Sequence, residues 1–438
     1  MNYSNMLCQR IWIFTVTYLA IASRHTALQS WAMCKPLIGE SLDMNSTWLG
    51  AMDFTFLLCY AIGNFVSGTL GDNTSLSAIT SVGIGLGGLV YLINALLGAV
   101  SFSNPLVFAI LFGLQGTFQS SAWPATVAIM GNWFPKSSTG KIVGLWSSNS
   151  SAGHLIGAQM AAALIYYGVR WEITVSISAI FMIIVGLLFW FFGKDKPDSS
   201  VTEMLLIKKQ SESRFSTDKK GISFWKAWLL PGVINYSLCY ACVKTLNYAI
   251  LMWLPYYLFD SYDMNSEYVG IMANIYDIAS LIGAFGFGWV TDKLGSRGPT
   301  LFLIMFLTIP TIWCFYAVPY DAWWLFFILS FILGAFAGTA GHLITSAVAI
   351  DIGKHEDLDK SEEALSTVAG IIDGTGGLGA AAGQILIGYL ASIDWMYSFI
   401  FMVITSILSA ILLMPIAYKD LVHKNQSDGN DKTDIKLE

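Results

Sequence analysis

Long apolar blocks recur along the chain, near 11–33, 47–70, 76–100, 104–132, 141–167 and 172–193, and again near 229–259, 267–291, 299–319, 322–352, 362–391 and 393–418. Each is long enough for a helix to cross hydrocarbon, which takes about 20 residues. Inside a bilayer every backbone N–H and C=O must be satisfied within the protein, and blocks of this length do so as helices. Composition agrees, with 55% hydrophobic and only 12% charged residues, against roughly 25% charged in a soluble domain. The expectation is an all-α membrane protein of twelve transmembrane helices.

The blocks fall into two sets of six around the polar stretch KDKPDSSVTEMLLIKKQSESRFSTDKKG, whose Ser, Lys and Glu content reads as a linker. The domain expectation is a six-helix bundle over 1–193, a cytosolic linker over 194–228, a second bundle over 229–418 and a cytosolic tail over 419–438. Nearly all of the 23 Lys and Arg lie on the linker side; Lys35 and Arg170 fall on the other, and Arg24 and Lys244 lie inside blocks. Cytosolic segments are enriched in Lys and Arg, so both termini are expected in the cytosol. Asn45, in the sequon NST, then faces the outer or lumenal side. No cleavable signal peptide is expected, because the first block is too long and lacks a cleavage site.

Several classes drop out. The net charge of −6 is spread over loops and tails and suggests no nucleic-acid partner. The six cysteines form no framework, and CYAC at Cys239 and Cys242 lies inside an apolar block without a redox βαβ pattern. No P-loop, metal-ligand cluster or nucleophile paired with a base is present, so neither an enzyme nor a cofactor is expected. GTGGLG in the eleventh block lacks the strand–helix context of a dinucleotide site and reads as helix packing.

The two halves resemble each other. GNFVSGTLGD (63–72) and GAFGFGWVTD (283–292) both place glycines nine and four residues before an aspartate. Gly68, Asp72, Gly288 and Asp292 occupy matching places at the end of the second block of each half. Lys293 and Arg297 follow Asp292 and suit a gating charge latch. The first copy has no cation there, so a latch on that side would need Lys136 or Lys141. Duplicated halves are a transporter's arrangement, with a central site near the bilayer midplane. Arg24 and Lys244 sit in the first block of each half. A cation there costs roughly 2.5–3.5 kcal/mol and faces a cavity or a partner. Two readings follow: an anion clamp at a shared cavity, or structural pairing with Asp53, Asp277 or Asp373.

WVTDKLGSRG resembles the signature loop of the major facilitator superfamily, GxLxDRxGRR. QSSAWPATVAIMGNWFPKSSTGKIVGLWSSNSSAGHLIGA (119–158) is similar to the organophosphate:phosphate antiporters, whose pattern is roughly GWPxxVxxxxNWFxKxxRGxxxGxWNSHTSVGN. WLPYYL, AVAIDIG and LSTVAGIIDGTGGLGAA look like the same family, closest to the eukaryotic sugar-phosphate exchangers that swap glucose-6-phosphate for inorganic phosphate.

The resemblance implies two pseudo-symmetric six-helix bundles, antiport by alternating access and no cofactor. Its partners would be phosphate, a sugar phosphate and the lipid bilayer, in the endoplasmic reticulum or another internal or plasma membrane. Oligomeric state is left open, a homodimer included. Ser23, Arg24 and His25 match a first-span SRK whose arginine contacts phosphate, and Lys244 matches a seventh-span lysine. Asn247 stands where bacterial relatives have a second arginine. Tyr60, Trp123 and Trp146 match cavity aromatics, with ordinary packing the alternative, and Pro124 suits a kink in the fourth span. His342 stands where the branch commonly has an aromatic.

This chain also departs from the family. Asn149 replaces a fifth-span histidine suited to sharing a proton with phosphate. His154 follows five residues on and could substitute for it, but it is turned away on an ideal helix, which favours a structural role. Pro36 reads as the end of the first helix. A carrier of another organic anion and a nontransporting sensor of the same fold stand as alternatives.

Overall fold

A computed structural model describes residues 3–134, 142, 145–197, 220–221, 224–345, 362–363 and 365–434, with backbone alone at 3–5, 65–73, 220–221, 224, 365–367, 369 and 423–434. Lys136, Lys141, AVAIDIG and most of the linker lie outside the described residues.

The described chain is helical apart from a two-residue parallel pairing, Lys220–Gly221 with Glu362–Glu363. The first half holds α1 (Tyr3–Leu42), α2 (Ser46–Asn73), α3 (Leu76–Ala99), α4 (Pro105–Gln119), α5 (Ala122–Trp133), α6 (Asn149–Tyr166) and α7 (Trp171–Phe192). The second holds α8 (Phe224–Trp228), α9 (Val233–Tyr262), α10 (Ser266–Leu294), α11 (Gly298–Tyr316), α12 (Leu325–Leu333), α13 (Thr339–Leu343), α14 (Leu365–Ala391) and α15 (Trp395–Asp434). Every apolar block carries helix. Among the described residues eight stretches are long and apolar enough to cross a membrane.

The interruptions have local causes. The fourth block breaks at Ser120 and Ser121, where Pro124 has no N–H for the Ser120 carbonyl but is tolerated in the first turn of α5. Between α12 and α13 the tenth block widens into a π turn, Gly334–Gly338, beside a close approach to α10. A Cβ on Gly338 would meet Ser280 Cβ at 2.5 Å, and one on Gly334 would press on the Tyr276 backbone.

Two sequence expectations are corrected. Pro36 does not end the first helix, because α1 passes through it to Leu42. Lys35 is therefore no loop residue. It is 0% exposed inside α1, since a buried carboxylate on α2 holds it.

The chain forms two compact units. The first comprises Met1–Asp218, Leu251–Asn274 and Gln384–Ser392; the second comprises Lys219–Ile250, Ile275–Gly383 and Ile393–Glu438. In the first, α1 packs along α6 and α7, α2 along α4, and α3 along α7. Gly153 and Gly157 bring α6 onto α1: a Cβ on Gly153 would meet His25 Cβ at 2.7 Å, and one on Gly157 would meet Thr26 Cα at 3.0 Å. In the second unit α11 runs along α15.

Duplication shows again in the turns and caps. Asp43-Met44-Asn45-Ser46 and Asp263-Met264-Asn265-Ser266 are the same tetrapeptide, each closing the first long helix of its half. Asp43 and Asp263 are left-handed, at φ 53° and 46°, a conformation that Asp tolerates better than most residues. Asn45 Oδ1 accepts from the Trp48 N–H at 3.1 Å, and Asn265 Oδ1 from the Glu267 N–H at 2.9 Å. An aspartate also caps the third long helix of each half: Asp195 accepts from the N–H groups of Leu76 and Ser77 on α3, and Asp420 from the Gly298 N–H of α11.

Candidate functional site

Arg24 lies midway along α1 and is 9% exposed. Its Nη2 donates to His25 Nε2 at 3.2 Å, and its guanidinium stands 4.7 Å from the centre of the Tyr60 ring on α2. Among the described residues no carboxylate pairs with it. Asp53, the first-unit carboxylate suggested as its counter-ion, instead holds Lys35 and accepts the Trp31 indole N–H at 2.8 Å.

Beside Arg24 is a small cavity with room for about one water molecule, lined among others by Asp53, Tyr91, Gln115 and Gln119. Gln115 and Gln119 are 5% and 1% exposed. Gln115 Oε1 and both amide atoms of Gln119 make no hydrogen bond among the described residues. Buried amides without partners are costly and uncommon. This cluster offers a positive charge and free amide groups to a polar guest.

The remaining first-unit positions divide by exposure. Trp123 is half-buried and stacks on Trp146 with centroids 5.4 Å apart. Trp146 is 1% exposed, and its indole N–H donates to Thr17 Oγ1 at 3.1 Å. Asn149 is fully buried and donates to the Trp146 carbonyl at 2.6 Å. Trp146 and Asn149 thus back the site in this structure.

Sequence reasoning singled out His154 but not its neighbour. Its Nε2 lies 3.0 Å from His25 Nδ1, and the rings meet edge to face. The turn away from Asn149 points it at α1, where Gly153 permits the approach. The burial of Lys35 was missed too. Besides Asp53 it meets the Met252 carbonyl at 3.1 Å and lies 4.1 Å from the centre of the Trp253 ring.

In the second unit Lys244 takes the structural pairing that the sequence left open. Its Nζ donates to Asp373 Oδ1 at 2.8 Å, with side chains 12% and 46% exposed. Asn247 Oδ1 accepts from Tyr276 Oη at 2.7 Å, and His342 is exposed on α13. Asp292 pairs with Arg297 at 3.2 Å, Arg297 also donates to Thr291 Oγ1, and Lys293 stands 3.8 Å from the centre of the Trp289 ring. The cations of this loop are therefore engaged locally. Gly288 lies on α10 near Leu343. Gly68 and Asp72 are in the last turns of α2, where only backbone is described.

Comparison with known proteins fits this architecture. The model of the Major Facilitator Superfamily matches residues 16–356 and 236–436. Sugar phosphate exchanger 3 of Homo sapiens is 32% identical over 87% of this chain and 82% of its own. A protein of Arabidopsis thaliana named as a candidate glycerol-3-phosphate transporter is 33% identical over 92% and 85%. A bacterial homologue of the human lysosomal transporter Spinster superposes with a TM-score of 0.74 at 13% identity, over 95% of this chain and 98% of that one. The chain is a multi-pass membrane protein of the Major Facilitator Superfamily, in the branch of the sugar-phosphate exchangers.

Proposed function

We propose that this protein carries a sugar phosphate across a membrane in exchange for inorganic phosphate, with Arg24 as the phosphate-binding cation. One observation carries the reading. Arg24 is buried in a spanning helix against neutral partners, His25 and Tyr60, so its charge is uncompensated. A phosphate oxyanion offsets that charge, and the planar guanidinium suits it through paired N–H donors. The names of the human and plant relatives support an organophosphate as substrate. The free amides of Gln115 and Gln119 suit the hydroxyls of a sugar such as glucose-6-phosphate.

Obligatory exchange follows from the same charge. Closing the empty carrier leaves Arg24 desolvated without an anion, whereas a loaded carrier closes around a neutralised site. Each half would move as a bundle in a rocking cycle. Tyr60 and Trp123 in the first unit, and Asn247 and His342 in the second, are each proposed as substrate contacts, and Lys244 is proposed to leave Asp373 during the cycle. The loop bearing Gly288, Asp292, Lys293 and Arg297 is proposed as a gate, with Gly68 and Asp72 its counterpart. Cytosolic termini and the endoplasmic reticulum complete the proposal.

The test is labelled phosphate uptake into proteoliposomes loaded with phosphate, with glucose-6-phosphate or with neither, alongside Arg24→Ala. Uptake only into loaded vesicles, lost in the variant, is the expected result. Inhibition by organic acids rather than phosphate would point to a carboxylate carrier, and no uptake by folded protein to a sensor.

A further inference from the structure

Arg24, His25 and His154 form a hydrogen-bonded chain whose protons can be assigned from chemistry alone. Arginine only donates, so His25 Nε2, 3.2 Å from Arg24 Nη2, is an acceptor without a hydrogen. The neutral His25 proton is then on Nδ1. It donates to His154 Nε2 at 3.0 Å, so that nitrogen also carries no hydrogen. Neither His25 as a cation nor its other tautomer fits, because each would set N–H against N–H.

We propose that the His25–His154 dyad is a proton-operated positioning device for Arg24, coupling phosphate binding to uptake of one proton. This rests on the reading of Arg24 as the phosphate-binding cation. In the neutral dyad the His25 Nε2 lone pair holds the guanidinium. When hydronium in the medium gives a proton to His25 Nε2 and leaves as water, the Nδ1 proton passes to His154 Nε2. His154 then bears the charge, and His25 is neutral with its hydrogen on the side of Arg24. The group that held Arg24 has become a donor, and an oxyanion accepting from both satisfies the pair. Proton and anion therefore bind together.

The titratable groups on the helices around His25 are engaged elsewhere. Beside His25 on α1 is Arg24. On α2, Asp53 is engaged by Lys35 and Trp31, and the Tyr60 ring lies against Arg24. Tyr91 of α3 donates to the Ala27 carbonyl, and Glu172 of α7 is paired with Arg170. Helix α5 has no titratable side chain, and on α6 only Tyr166 accompanies His154.

The experiment measures the apparent KM for inorganic phosphate in phosphate:phosphate exchange from pH 6 to 8, for the wild type, His154→Gln and Arg24→Ala. Gln keeps an acceptor for His25 but takes no proton. Because phosphate itself titrates here, the quantity read is the ratio of wild-type to variant KM, in which substrate ionisation cancels. That ratio is expected to rise with pH, by up to about tenfold per unit, the slope of one linked proton. A flat ratio, with both proteins folded and exchanging, would overturn the dyad and leave the Arg24 reading intact. Normal exchange by folded Arg24→Ala would overturn both.

Nitrogen-15 spectra of the histidines give a readout independent of transport and of the variant's folding. Of the five histidines, His25 is expected protonated at Nδ1 without phosphate and at Nε2 with saturating inorganic phosphate. Protonation at Nε2 before phosphate is added would refute the chain.

Discussion

Arg24 and Lys35 lie on the same helix eleven residues apart, and their surroundings are opposite. Lys35 is 0% exposed and held by Asp53, a backbone carbonyl and the Trp253 ring. Arg24 meets an imidazole, a phenol ring and a cavity bordered by unpartnered amides. A cation whose counter-ion is built in belongs to the scaffold, while one left without a counter-ion carries a desolvated charge that a bound anion would offset. Lys244 is intermediate, paired with Asp373 but with that carboxylate 46% exposed.

The sharpest way to break this comparison is to remove each charge and measure folding and transport separately. Lys35→Met leaves Asp53 buried without its cation, and breaking such a pair costs about 3–5 kcal/mol. Thermal unfolding in detergent is expected to shift sharply downward, with Lys35→Met/Asp53→Leu recovering most of the loss. Arg24→Ala should do the reverse. Its melting temperature stays within a few degrees of wild type, while phosphate uptake falls roughly 100-fold, equivalent to about 3 kcal/mol. An Arg24→Ala protein that unfolds as readily as Lys35→Met would erase the distinction.

Lys244 and Asp373 sharpen the contrast. Their pair is partly solvated, so a double-mutant cycle on stability with Lys244→Met and Asp373→Asn is expected to give a coupling of about 1 kcal/mol. A coupling near that of Lys35 and Asp53 would place Lys244 with the scaffold.

What the sequence reveals divides along the same line. Apolar blocks announce spanning helices through length alone, and a charge inside one singles out Arg24 as a candidate. The burial of Lys35 and the contact of His154 with His25 were not legible, because each is defined by a neighbour on another helix. Lys35 precedes a proline and resembles a loop residue until Asp53 is placed against it. His154 was correctly turned away from Asn149, but only packing reveals that α1 lies where it points. The repeated Asp-Met-Asn-Ser turn was open to reading, and its left-handed aspartates and asparagine caps explain why both halves keep it.

The smallest predicted effect tests whether the duplicated caps act through charge. Asp195 lies beyond the end of α7 and accepts from the N–H groups of Leu76 and Ser77 at 3.0 and 2.6 Å, with the Ser77 hydroxyl as a further donor. Partial burial works against its ionised form, but the bonds from Ser77, Ser75 and Leu76 outweigh it and hold the carboxyl below its ordinary value of 3.8. A carboxylate depressed in the folded state stabilises above that ordinary value, and the contribution disappears as pH falls through the lower folded one. Asp195→Asn keeps the shape and loses the charge at the helix N-terminus, so at neutral pH it should cost less than about 1 kcal/mol, reduced by solvent screening. The melting difference from wild type is expected to close as the medium is acidified below about pH 4, the ordinary carboxylate range. Asp420→Asn, at the matching cap on Gly298, is expected to lower stability with the same sign. A pH-independent Asp195→Asn deficit would mean that the cap acts through its shape, and that the halves share a turn geometry without sharing an electrostatic device.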